Sequence, residues 1–168
     1  DEINRTPPKT QASLLESMEE RQVSVDGNPL ALPDPFMVIA TQNPVEYAGT
    51  YPLPEAQLDR FLLKVILDVP QRHEEIEVIS RHAHGFDPRN LAAAGLGPVA
   101  TAQDLETARD QVARVQVAPE VLAYIVDVCR ATRTAPSLSM GVSPRGATAL
   151  LAASRAWAWL VGREFVTP

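Results

Sequence analysis

One cysteine in 168 residues leaves no partner for an internal disulfide. Cys129 falls on an apolar helical face, where a thiol reads as core packing, and the usage fits a reducing, cytoplasmic compartment. An excess of positive charge is also missing: 15 Lys and Arg stand against 21 Asp and Glu, for a net charge of −6. That balance argues against a general binder of nucleic-acid backbones, although it leaves room for a local basic patch. Long hydrophobic runs are absent too. The most apolar late stretch is broken by Arg155, and neither a membrane span nor a signal-peptide pattern is visible. His73, His82 and His84 have no cysteine or suitably spaced acid beside them, so they do not form a metal-binding pattern.

What is present is ordinary globular material, 45% apolar and 21% charged, long enough for one full domain or two small ones. The most informative stretch is 36–61. Phe36-Met37-Val38-Ile39-Ala40 is a short apolar run that turns polar at Thr41-Gln42-Asn43-Pro44. Apolar on both faces, it reads as a buried parallel strand over 36–42, and the carboxyl edge of such a sheet is where ligands sit. Asn43 offers a donor and an acceptor without titrating, so it can orient a water or a phosphate oxygen. Taken alone, the same residues are a strand ending in an Asn-Pro turn. At the start of the chain, Asp1-Glu2 places adjacent carboxylates just before a helix, with Thr6 able to cap it and Pro7 suited to its first turn. Such a pair can divide labour between holding hydrated magnesium and polarising a water that attacks a γ-phosphate.

Between these segments, 7–21 reads as a helix with Leu14, Leu15 and Met18 on one side and Glu16, Glu19, Glu20 and Arg21 on its wet face. Val23 and Val25 alternate up to Asp26-Gly27, and Leu30 and Leu32 alternate after it, which predicts a hairpin. A loop with Tyr47, Gly49 and Tyr51 follows over 44–54, then a short helix over 55–61 that delivers Arg60. By composition Arg60 has two fates open: a surface pair with Asp59 or another acid, or a γ-phosphate across an interface, for which a planar, permanent cation is suited. Residues 62–67 read as a second strand. Beyond it the period becomes helical: 72–84 with Ile76, Ile79 and Ala83, a Gly-, Ala- and Pro-rich loop over 85–100, and a capping arrangement at Thr101 to Asp104 followed by Leu105, Ala108, Val112 and Val115. Pro119 opens a helix with Leu122, Ile125, Val126 and Cys129 on one stripe. Ser143-Pro144 opens the last, with Ala147, Leu150, Leu151, Ser154, Trp157 and Val161 along one side. Trp157 and Trp159, two apart, cannot share a helical face. Arg145 sits in the first turn of that helix, where the dipole favours anions, and a cation placed there hints at a nearby negative group.

Together, DEINRTPPKTQASLLESMEERQVSVDG, PFMVIATQNPVEYAGTYPLPEAQLDRF and GVSPRG resemble the second half of an AAA+ ATPase module, in wording closest to the MoxR family. The resemblance is specific over 1–70 and weaker over 71–168. It implies a partial α/β P-loop-type core over 1–70 followed by an all-α helical lid over 71–168. On that likeness Asp1-Glu2 ends the Walker B motif: Asp1 binds magnesium, directly or through water, and Glu2 prepares the attacking water. Asn43 is the sensor-1 residue, Arg60 the arginine finger offered to the neighbouring subunit, and Arg145 the sensor-2 contact to ATP phosphates. The hairpin would point its tip, 25–29, into a central pore. The likeness further implies ATP and Mg2+ as cofactors, a ring that is a hexamer, and protein clients for remodelling or activation, frequently von Willebrand factor A-domain proteins. One departure matters: no G-x-x-x-x-G-K-[ST] phosphate loop occurs in these residues. With that, and with an opening at Asp1 in mid-motif, the expectation is a fragment that is inactive alone and lacks the strand between 36–42 and 62–68. Two other expectations fit the same parts: a DNA-directed or chelatase-type AAA+ relative, and a non-catalytic helical interaction module.

Overall fold

The computed structural model describes residues 1–43 and 49–168, so Tyr47 and the rest of 44–48, the first part of the loop expected over 44–54, lie outside the described residues. The chain opens with a single 3-10 turn, Ile3–Arg5, and then enters α1 (Pro8–Glu20). Pro8 takes the first helical position, where a missing N–H costs nothing. Thr6 does not cap α1, contrary to expectation. Its amide instead closes the preceding turn by donating to the Ile3 carbonyl at 3.1 Å, and no side chain caps the helix. Leu15 is buried, with Leu14 and Met18 half-buried beside it, as the apolar spacing predicts. Gln11, only 2% exposed, was not foreseen. A buried amide must find partners, and its Nε2 donates to the carbonyls of Ile3 at 3.1 Å and Tyr51 at 3.0 Å. These bonds staple the start of the chain to the segment leading into α2 (Glu55–Leu58).

Strands β1 (Gln22–Val25) and β2 (Asn28–Ala31) form the predicted hairpin, Val25 opposite Asn28 and Gln22 opposite Ala31. Asp26 and Gly27 both have positive φ, 50° and 80°, the geometry whose twist matches a two-residue hairpin turn.

The two segments predicted as core strands do not pair. Among the described residues the hairpin is the only sheet, and neither 36–42 nor 62–67 takes strand structure. A strand is defined by its neighbours: ladder N–H and C=O groups need a partner, and among the described residues no strand lies beside either segment. Much of their apolar surface is bare as a result: Met37 is 78%, Ile39 77% and Leu67 89% exposed, while Phe36, Val38 and Ala40 are half-buried. In the isolated 168-residue chain, amides of 36–42 and 62–67 are expected to exchange with little protection while those of the last two helices stay protected. Slow hydrogen exchange across both segments in a monomer would contradict this.

The remaining helices are α3 (Arg72–Ala83), α4 (Ala102–Arg114), α5 (Pro119–Thr134) and α6 (Pro144–Leu160). A Gln71–Glu74 capping box starts α3, but none of its residues is buried, and the expected stripe of Ile76, Ile79 and Ala83 faces solvent. The capping arrangement before α4 forms as predicted: the Thr101 hydroxyl accepts from the Asp104 amide, and Asp104 accepts from the Thr101 hydroxyl and amide, both at 2.7 Å. Those bonds, the hydroxyl first, hold the Asp104 carboxyl below its ordinary value. A second core joins α5, α6 and the chain end through Val115, Val121, Ile125, Cys129, Ala158 and Val166. Cys129, 2% exposed, packs there as expected. The stripe on α5 is shifted from the predicted one, because Val121, Ile125 and Cys129 repeat every fourth residue while Leu122 and Val126 turn outward. On α6, Ala158 is the buried residue, Ala147, Leu151 and Trp159 pack partly against the core, and Leu150, Trp157 and Val161 are exposed. The two tryptophans do part company. Trp159 lies against the core and donates to Gln111 Oε1 at 2.9 Å, while Trp157 faces outward.

Candidate functional site

The acids at the chain start are held by one hydroxyl. Thr41 Oγ1 donates to Asp1 Oδ1 at 2.5 Å and accepts the Glu2 amide at 2.8 Å, and the Thr41 carbonyl accepts from the Ile3 amide at 3.0 Å. Asp1 and Glu2 therefore sit beside the carboxyl end of the 36–42 segment, two residues before Asn43, which is half-buried. Glu2 adopts φ 48° and ψ 57°, left-handed backbone that a residue with a side chain takes only when its surroundings impose it. Arg5 Nε pairs with its carboxylate at 2.8 Å and so fixes its direction. Among the described residues no group of three or more His, Cys, Asp or Glu could hold a metal. Magnesium does not require such a cage, since it keeps several waters and takes one or two carboxylates plus substrate phosphates. An exposed Asp1 beside a second acid fits that donor set.

The second cluster joins residues far apart in the chain. Arg60 lies just past α2, in the turn that follows it rather than within a helix running to 61, its amide donating to the Gln57 carbonyl at 3.2 Å. Its Nη1 pairs with Glu19 Oε2. The other oxygen of the same carboxylate, Oε1, accepts from Arg145 Nη2 at 2.8 Å. Asp59 does not pair with Arg60. Both its carboxylate oxygens lie 2.8 Å from the Ser143 hydroxyl, which also caps α6 by accepting the Gly146 amide at 3.1 Å. The start of α6 is thus tied to the end of α1 through Arg145 and Glu19, and to the end of α2 through Ser143 and Asp59.

This convergence has an electrostatic cause. Glu19 is in the last turn of α1, where partial negative charge disfavours a carboxylate, and Arg145 is in the first turn of α6, where partial positive charge disfavours a cation. Each stands at the wrong end of its own helix, and each is relieved by the other. Local backbone brings this about. Gly141 lets the chain pass directly over Arg133, whose Nε donates to the Val142 carbonyl at 2.8 Å; a Cβ at Gly141 would run into the Cα, amide nitrogen and Cγ of Arg133. Backbone atoms cannot swing aside, so Gly141→Ala is expected to destabilise the α5–α6 region by about 1–3 kcal/mol. Thermal denaturation reads the cost, and an unchanged midpoint would refute the close approach.

Of the five predicted residues, the structure holds Asp1 and Glu2 at Thr41, two residues before Asn43 in the chain, and brings Arg60 together with Arg145 at Glu19. Sequence reasoning assigned Glu19 only to a wet helix face and left Thr41, Gln11 and Ser143 without these partners. The available signal for Glu19 was its place in a last turn that holds no basic residue.

Residues 1–63 match the profile of the ATPase family associated with various cellular activities (AAA), and residues 130–168 that of the AAA lid domain. Over its whole length the chain is 41% identical to Chaperone MoxR1 of Mycobacterium tuberculosis, covering 45% of that protein. The chain belongs to the MoxR family of AAA+ ATPases. This MoxR chain is also 48% identical over its whole length to Uncharacterized protein YeaC of Bacillus subtilis, covering 51% of it. Its backbone superposes with a TM-score of 0.87, at 35% identity, on a crystal structure from Cytophaga hutchinsonii whose ATPase assignment is itself provisional, covering all of the MoxR chain and 52% of the other. It spans about half the length of the curated relatives it matches. The small sheet and the helices are thus a partial AAA+ fold. Among the described residues no helix is long and apolar enough to cross a membrane.

Proposed function

We propose that the intact protein hydrolyses ATP in a ring, a hexamer, and uses the cycle to remodel or activate protein complexes, with von Willebrand factor A-domain proteins among its clients. Residues 1–70 are the C-terminal part of the nucleotide-binding core and 71–168 the helical lid. The observation that carries this reading is the meeting of Arg60 and Arg145 on one carboxylate, 85 residues apart in the chain (145 − 60). Paired guanidinium groups make a site for a phosphoryl group, whose charge spreads over three oxygens in transfer.

ATP with Mg2+ supplies the phosphoryl group, and the remaining roles fall to side chains of this chain. Asp1 holds the hydrated magnesium. Glu2, turned by its left-handed backbone, accepts the proton of the attacking water. Asn43 orients that water through its amide. Arg60 reaches the nucleotide of the neighbouring subunit, and Arg145 reads phosphate from the lid, with Ser143 and Asp59 registering the lid against the core. The test is Mg-ATP turnover by the intact protein and its loss on Glu2→Gln.

A further inference from the structure

The geometry points to Glu19 as a latch: with no phosphate present its carboxylate occupies the place between Arg60 and Arg145 that a nucleotide phosphoryl group takes, and binding displaces it. This rests on the proposed ATPase reading for the identity of the displacing anion. Three observations support it. Each oxygen of Glu19 serves a different guanidinium, so one carboxylate satisfies both cations and brings them to one point. Two like-charged groups converge only around an anion, and a phosphoryl group offers the same geometry with more oxygens and more charge. The site is also open to exchange: the side chains of Glu19, Arg60 and Arg145 are 45%, 30% and 47% exposed, so the pairs are weak enough for a stronger anion to replace.

Because Arg60 and Arg145 share this carboxylate, both meet one phosphoryl group, that of the neighbouring subunit's nucleotide which Arg60 reaches. Glu19 is a positioning residue, which keeps the two arginines gathered and discharged until nucleotide arrives. The cost is competition. Removing the competing charge while keeping side-chain size should therefore tighten nucleotide binding.

In the full-length protein, Glu19→Gln is expected to lower the Kd for a Mg-bound non-hydrolysable ATP analogue by about three- to tenfold, the scale of one or two exposed ion pairs. Glu19→Asp, which keeps the charge, should stay near the parent value. The gain should vanish when Arg145→Ala is added, whereas a merely structural role would leave the effect of Glu19→Gln unchanged in that background. Equal or weaker binding by Glu19→Gln overturns the latch, as does tighter binding that persists with Arg145→Ala. Parent protein that binds the analogue but does not hydrolyse ATP overturns the ATPase reading alone, and absence of all nucleotide binding overturns both.

Discussion

Glu2→Gln in the intact protein is expected to lower kcat for ATP by about 10²–10⁴-fold, the usual contribution of a positioned general base, while nucleotide still binds. The two side chains have the same size, so the left-handed turn at Glu2 and its amide bond to Thr41 are retained. What is lost is the ability to take a proton from water. The pair with Arg5 is weakened as well, but both partners are substantially exposed, and such a pair stabilises little. Turnover and binding should therefore separate. Saturation kinetics with Mg-ATP, together with titration of a non-hydrolysable analogue, measure the two independently. Undiminished turnover would remove Glu2 from the chemistry and leave the acid pair as a structural feature held by Thr41.

The parts of this chain that were legible in the sequence are those governed by local rules. The hairpin follows from Asp26-Gly27, whose paired positive φ values suit a tight turn. The cap on α4 follows from Thr101 and Asp104, and the start of α6 from Ser143-Pro144. The segments 36–42 and 62–67 read as strands whose expected neighbour is not among these residues, and neither takes strand structure, because apolar sequence expresses only a preference for burial. Whether a strand forms depends on a neighbour that local sequence does not contain. The α5 stripe was misjudged by one position for a related reason: Val121 and Leu122 are both apolar, and the facing helix decides which turns inward. The candidate site divided in the same way. Residue types suited to phosphate chemistry stood out, and the likeness to AAA+ modules singled out Asp1, Glu2, Asn43, Arg60 and Arg145. Glu19 did not stand out, since an exposed glutamate acquires meaning only when two distant guanidinium groups arrive at it. Its misfit with the dipole of α1 becomes informative only beside the opposite misfit of Arg145 on α6.

Arg60→Ala should lower kcat by about 10³–10⁵-fold if the guanidinium stabilises charge on the transferring phosphoryl group. If Arg60 were only a partner for Glu19, the loss would be confined to a weak surface pair, and turnover would hardly change. Mixing variants separates the possibilities further. Head-to-tail contacts in a ring place unlike faces of adjoining subunits together, so a site built across the boundary draws Glu2 from one chain and Arg60 from the next. Rings assembled from Glu2→Gln and Arg60→Ala subunits, each inactive alone, would then contain some boundaries with an intact Glu2 facing an intact Arg60, and activity should return at those boundaries. A site completed within one subunit would never be restored by mixing, because every chain would still lack one of its own groups. Recovery of turnover on mixing is the expected result, and none in rings verified to contain both subunits would place Arg60 outside the neighbouring site.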